Sequence, residues 1–210
     1  MSSSSFDLKC TQCPRLADFL KEVRLSHPDY HARPVAPFGD PDARLLIVGL
    51  APGYHGANAS GRPFTGDHAG ILLYQTLFDC GFSTAAESTS ADDDLQLLNC
   101  RITNAVKCLP PQNKPIGSEI NTCNHFLKNE LDGLAENSVI LALGSIAHQA
   151  VIKASGLKQK DYKFGHAATH QLPEHTLLDS YHCSRYNTQT RRLTADMFKG
   201  VFKQAQALLD

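Results

Sequence analysis

The sequence predicts an α/β protein, a three-layer α/β/α sandwich around a central, mainly parallel four-stranded sheet. Three observations carry that expectation. Short apolar runs of strand length recur at "RLLIVGL" (44–50), "RITNAVKCL" (101–109), "SVILALG" (138–144) and "HTLLDSYH" (175–182). Segments with apolar residues at helical spacing alternate with them, the pattern of a sheet covered on both sides. Several of the runs are apolar at successive positions rather than at every second one, as strands buried on both faces require.

The 210 residues read as one domain, 1–210, long enough to bury a real core. Residues 1–8 read as a tail. Pro14 suits a first helical position, and Leu16, Phe19, Leu20 and Val23 then repeat at helical spacing. A proline-rich connection, "HPDYHARPVAPFGDPDA", leads into the first strand. The next helix, "GILLYQTLFDCGF", ends near Gly81, and the polar stretch "STAAESTSADDD" reads as a mobile loop. After the second strand, Ser118 and Glu119 open a helix whose apolar face carries Ile120, Cys123, Leu127, Leu131 and Leu134. Ser145 follows the third strand as the expected cap of "IAHQAVIKA". The turn-rich "YKFGHAATHQL" suggests an edge strand. A last helix is expected from Thr194, with Met197, Phe198, Val201, Phe202, Ala205 and Leu209 on one stripe.

Composition is that of a soluble globular protein, 42% apolar and 20% charged. No apolar run is long enough to span a membrane, and "MSSSSFDLKC" lacks the apolar centre of a secretory signal, which points to the cytosol. A formal net charge of −1 permits a nucleic-acid partner without suggesting one. Charge is nonetheless uneven: acids gather in "STAAESTSADDD", and "SRYNTQTRR" has three arginines and no acid.

Seven cysteines, an odd number, fit a reducing compartment and leave buried thiols, a metal site, or both. Cys10 and Cys13 form a C-x2-C pair, and Cys108 and Cys123 are separated by fourteen residues. Four thiolates hold either a structural zinc or a [4Fe–4S] cluster, and spacing does not separate the two. Cys80, Cys100 and Cys183 read as packing residues.

In parallel sheets ligands bind beyond the carboxyl ends of the strands. Three unusual segments leave strands at that end: "GLAPGYHGANASGRPFTGD" (49–67), "CLPPQNKP" and "HCSRYNTQT". The first holds five glycines in nineteen residues. Backbone without side chains approaches a flat ligand closely.

These segments together resemble the iron–sulfur branch of the uracil-DNA glycosylase superfamily, and within it the fifth, broad-specificity B-type family. "GLAPGYHGANASGRPFTGD" is similar to that family's first motif and "HCSRYNTQTRRLT" to its second. "ITNAVKCLPPQNKP" resembles the segment that carries a uracil-contacting asparagine and a cluster cysteine. The resemblance implies a monofunctional enzyme that hydrolyses the N-glycosidic bond of uracil and other damaged bases in DNA, with no membrane association. It would work as a monomer in a bacterial or archaeal cytosol, near the nucleoid. It also implies a [4Fe–4S] cluster on Cys10, Cys13, Cys108 and Cys123.

Site roles follow residue by residue. Phe64 would stack on the flipped base. Asn104 would read the base edge, since an amide matches O4 and N3–H of uracil and mismatches cytosine. Gly49, Ala51 and Gly53 would line the base pocket. His182 would aim a ring N–H at O2 of the departing base. Other uracil-DNA glycosylases have an aspartate where this chain has Ala51, so Asp67 is the candidate to orient water or stabilise the cationic sugar. Asp67 also stands where a helix N-cap belongs, and His55 is the reserve. Gly53 occupies the place of a tyrosine that excludes thymine, unless Tyr54 does. Ser184, Arg185, Tyr186 and Asn187 would enter the DNA groove, and Arg191 and Arg192 would meet phosphates. Two other functions compete: a non-catalytic module binding damaged or single-stranded DNA, and a hydrolase of free nucleosides.

Overall fold

The structure, a computed structural model, describes residues 6–210. Residues 1–5 of the expected tail lie outside the described residues. Phe6 is no free end: its ring packs 6.0 Å from that of Phe126.

Four parallel strands form the centre, as expected: β2 (Leu45–Gly49), β3 (Cys100–Asn104), β4 (Val139–Leu143) and β6 (Thr176–Ser180). The sheet is wider than the four strands expected. Among the described residues it has six, in the order β1-β3-β2-β4-β6-β5, because β1 (Phe38–Gly39) and β5 (Thr169–Gln171) add antiparallel edges. The proline-rich connection hides a strand of two residues, too short to show a period.

Successive residues of each central strand face opposite layers. Leu45, Ile47, Ile102, Leu141 and Leu178 pack under α3 (His68–Asp79) and α7 (Ala195–Leu209). Leu46, Val48, Ile140, Ala142 and Leu177 pack under α4 (Gly117–Asp132) and α5 (Ser145–Ala154). The expected α7 stripe is buried at Phe198, Val201, Phe202, Ala205 and Leu209, whereas Met197 lies at its edge, 37% exposed. A third cluster lies against the Cys108 segment, where α1 (Pro14–Ser26) packs Leu16, Leu20 and Val23 on Val106, Leu109 and Phe126.

Three local expectations need correction. Ser145 is the first helical residue of α5 and Gly144 is the cap, at φ +99°, a conformation glycine adopts without strain. The second strand stops at Asn104 rather than 109: Ala105 and Val106 still bond Gly49 and Leu50, but Val106 and Leu109 turn into the α1 cluster. The polar loop is pinned rather than free. The buried Arg62 guanidinium pairs with the Asp93 carboxylate, which also accepts the N–H groups of Thr89, Ser90 and Leu95.

The sheet also contains a buried polar knot with no periodic signature. His148 Nδ1 lies 2.8 Å from Asp179 Oδ1, its Nε2 lies 3.0 Å from the Tyr162 carbonyl, and His170 Nε2 reaches Asp179 Oδ2. Both partners of His148 accept, so both ring nitrogens donate. Burial pulls its pKa down, but Asp179 and the Tyr162 carbonyl leave it above the ordinary histidine value.

Candidate active site

The register of the sheet sets Gly49 beside Asn104 at the carboxyl ends of β2 and β3. A Cβ on Gly49 would stand 2.4 Å from Asn104 Oδ1 and 2.8 Å from Phe64 Cζ. Amide, ring and bare backbone thus converge on one spot, and glycine is the residue that leaves it open. Asn104 Oδ1 is buried and has no hydrogen-bond partner among the described residues. An unmatched buried acceptor is costly and calls for a donor from outside. Phe64 is buried at φ +57°, left-handed backbone that an L side chain adopts only when its surroundings hold it there. Its ring lies 6.0 Å from that of His182, the planes 30° apart.

His182 follows β6 by two residues, beside Gly144 at the end of β4. Burial lowers its pKa to about 4, so the imidazole is neutral at physiological pH. The Asn187 amide donates to the His182 carbonyl at 2.8 Å. That turns Asn187 inward, to support the histidine's backbone, where a groove contact was expected.

Asp67 performs the capping role foreseen for it: Oδ1 accepts the Gly70 N–H at 2.7 Å at the start of α3. Its second oxygen faces the glycine-rich backbone, 3.6 Å from where a Gly53 Cβ would stand. At Gly56 a Cβ would come within 2.5 Å of Asp67 Cβ, so the chain passes over the carboxylate only as glycine. Burial raises the Asp67 pKa, and the Gly70 and Ala69 N–H groups only partly offset it.

Tyr54 packs in a ring cluster with Phe19, His27 and Tyr30. The position facing Asp67 is Gly53. His55 is exposed and its Nδ1 is engaged by the Tyr30 hydroxyl at 2.8 Å. Ala51, half-buried, packs against the α1 cluster. Beyond His182, Ser184 caps the short helix α6 (Arg185–Gln189), which the sequence pattern did not reveal. Arg185, Tyr186, Arg191 and Arg192 are exposed, Tyr186 by 70%, and Arg192 lies over the Tyr181 ring. Another short helix, α2 (Ala57–Ser60), sits inside the glycine-rich passage and was likewise not foreseen.

Cys10, Cys13, Cys108 and Cys123 line one cavity with Leu16, Lys107 and Phe126. All four are free thiols, and the Lys107 N–H donates to Cys123 Sγ at 3.3 Å. Burial raises Cys108, Cys123 and Cys13, and neighbouring thiols of the set raise them further. Bound iron or zinc reverses that by favouring thiolates. Four thiols around one cavity are compatible with an iron–sulfur cluster. Among the described residues His148, His170 and Asp179 also bring three donor atoms within 4.8 Å of one another, and both histidines are already bonded to Asp179. Cys80, Cys100 and Cys183 are buried packing residues, as expected.

The profile of the uracil DNA glycosylase superfamily matches residues 36–206. The chain is 46% identical over 205 residues to a type-5 uracil-DNA glycosylase of Thermus thermophilus, covering 95% of this chain and 93% of that one. The chain belongs to the type-5 family of the uracil-DNA glycosylase superfamily. A type-5 relative from Pyrobaculum aerophilum is 38% identical over 204 residues, covering 95% of this chain and 89% of its own. Among solved structures, wild-type SMUG2 of Pedobacter heparinus aligns with a TM-score of 0.51 at 13% identity, over 80% of this chain and 76% of that one, a likeness of fold. The type-5 chain described here has Asn104 at the end of β3, Phe64 in the loop before α3 and Asp67 at the α3 N-terminus. No helix among the described residues is long and apolar enough to cross a membrane.

Proposed function

We propose that the protein excises uracil and other damaged bases from DNA by hydrolysing the N-glycosidic bond, with Phe64, Asn104, His182 and Asp67 as its working residues. The observation that carries this reading is the convergence of the Phe64 ring and the unpartnered Asn104 Oδ1 on Gly49. A uracil on Phe64 would give its N3–H to Asn104 Oδ1 and take the amide N–H on O4. Cytosine presents the opposite pattern.

As the C1′–N1 bond breaks, its electron pair leaves with the base and negative charge grows on O2. His182 stabilises that charge by hydrogen bonding while staying neutral, since its pKa lies near 4. Positive charge grows on the sugar, and the second oxygen of Asp67, on the side of the glycine-rich backbone, faces it or holds the water that adds to C1′. The proton of that water passes to the carboxylate or to solvent. Asp67 keeps its cap throughout, because the two roles use different oxygens.

Arg185, Tyr186, Arg191 and Arg192 form the DNA-facing edge, with Tyr186 placed to fill the space of the extruded nucleotide. The four cysteines would hold a [4Fe–4S] cluster, which ties α1 to the segment after β3. Gly53 beside Asp67 supports a wide pocket, open to hydroxymethyluracil, ethenocytosine and deaminated purines.

A duplex with a single uracil, incubated with the protein and then treated with alkali, tests the reading. Cleavage at the uracil position is the expected result. Tight binding with no abasic product would make the protein a binding module, and faster hydrolysis of free uridine would make it a nucleoside hydrolase. For breadth, Gly53→Tyr is expected to lose the bulky lesions while keeping uracil. For the cluster, a brown protein with bound iron and sulfide is expected; stoichiometric zinc in a colourless one would overturn that assignment.

A further inference from the structure

The acidic loop after α3 has no part in the chemistry above, yet its contacts concentrate on one turn. Arg62, two residues before Phe64, is 6% exposed. Its guanidinium pairs with Asp93, donates to the Ala91 carbonyl at 2.6 Å and to Ser88 Oγ at 3.1 Å, and lies 4.2 Å from the centre of the Phe38 ring. On the other side of Phe64, Thr65 Oγ1 meets the same Ser88 hydroxyl at 2.7 Å. Between them, the Pro63 carbonyl accepts the Tyr74 hydroxyl at 2.8 Å. Beneath, a Cβ on Gly70 would fall 1.8 Å from the Phe64 carbonyl oxygen, so α3 presses on the turn as closely as backbone allows. The residues on both sides of Phe64 are thus tied to the loop, and Phe64 itself sits in left-handed backbone.

We propose that the loop 88–93, through the Arg62–Asp93 pair and Ser88, is a brace that holds Phe64 at the angle from which it stacks on the extruded base. The proposal rests on the stacking role assigned to Phe64. Arg62, Ser88 and Asp93 are positioning residues: they act through the ring. Left-handed backbone persists at a non-glycine residue only where the surroundings over-determine it, and here the over-determination is supplied by side chains on a separate loop. The Asp93 carboxylate is well suited to this. It accepts from Arg62 and from three backbone N–H groups, and these bonds outweigh burial to hold its pKa near 2. It therefore stays ionised across any pH at which the enzyme works.

The test is a double-mutant cycle on uracil duplex under single-turnover conditions, with duplex affinity measured alongside. Asp93→Asn is expected to slow the cleavage step roughly 10- to 100-fold, the scale of a small misplacement of a working group. Duplex affinity should move less than about twofold, since the DNA-facing edge is untouched. Asp93→Glu should recover much of the rate. In a Phe64→Ala background, Asp93→Asn should cost nothing further, because the ring through which the brace acts is gone. Ser88→Ala, which removes the hydroxyl's contacts with Thr65, Arg62 and Asp93 but leaves the Arg62–Asp93 ion pair, should repeat the pattern on a smaller scale and guards against a variant that fails to fold. An equal loss from Asp93→Asn with and without Phe64, or a wild-type rate for Asp93→Asn, would overturn the brace while leaving stacking intact. A wild-type rate for Phe64→Ala would overturn the stacking role and the brace with it.

Discussion

The turn 61–67 and the segment 184–192 both border the proposed base site, and they are built on opposite plans. In the turn the polar side chains are committed: Arg62 to Asp93, Thr65 to Ser88, Asp67 to the α3 N-terminus. In the second segment the backbone is held by Ser184, by Asn187 on the His182 carbonyl and by Thr188 near His68, while Arg185, Tyr186 and Arg191 project into solvent. Catalysis needs groups fixed before the substrate arrives, and fixing them takes buried polar contacts. Contact with a long charged polymer asks instead for exposed cations on a firm base, with the final geometry set on binding. The difference separates rate from affinity.

Substitutions on the two sides should therefore report on different constants. The largest effect is expected for His182→Ala, which removes the proposed donor to the leaving base and should slow the single-turnover step by on the order of 100- to 1000-fold with little change in duplex affinity. Equal losses in rate and affinity would break the division. Asp67→Asn comes next, slowed on the order of 100-fold, with thermal stability nearly unchanged because asparagine also caps a helix. A wild-type rate would remove Asp67 from the chemistry.

The pH profile sharpens the same point. In its proposed role Asp67 acts as a carboxylate, and its pKa is raised, so the rate should fall as pH drops through a value above the ordinary 3.8. His182 stays neutral down to about 4 and adds no loss above that. Asp67→Asn should erase this acid limb. The smallest effects belong to the exposed segment: Arg185→Ala and Arg191→Ala should each weaken binding a few-fold, flatten the salt dependence by up to about one phosphate contact's worth, about 0.9 in slope, and leave the saturated rate alone.

What could be foreseen from the sequence follows the same line between burial and partnership. The central strands, the covering helices and the α7 stripe write their burial into hydrophobic period, so their order and type were legible. Gly49, Phe64, Asn104, Asp67 and His182 were singled out through motif resemblance; Phe64 and Asn104 meet at Gly49, the His182 ring lies 6.0 Å from that of Phe64, and Asp67 caps α3. Partner choice is not periodic. Arg62 and Asp93 stand 31 residues apart in "GRPFTGD" and "SADDD", and nothing local in either says that one is buried and waiting for the other. His148 and Asp179 are likewise 31 apart and read separately as a helix histidine and a strand acid. Asn187 lay in a segment read as groove-facing, yet one turn of helix aims it inward. Two-residue β1 is below the length at which alternation means anything.

Arg15 and Glu119 give the cysteine cavity a history as well as a shape. The two side chains bond through paired contacts of 2.7 and 2.8 Å, Glu119 also takes the Ile116 N–H, and together they clamp the segment bearing Cys10 and Cys13 to the helix bearing Cys123. During synthesis the first pair of thiols emerges long before the second, and the clamp forms only once α4 exists. Thereafter it holds the segment of the first pair beside the helix of the second. If the four cysteines hold the proposed cluster, protein matured under iron starvation should accept iron and sulfide by reconstitution in the folded state, and Glu119→Gln should slow that uptake.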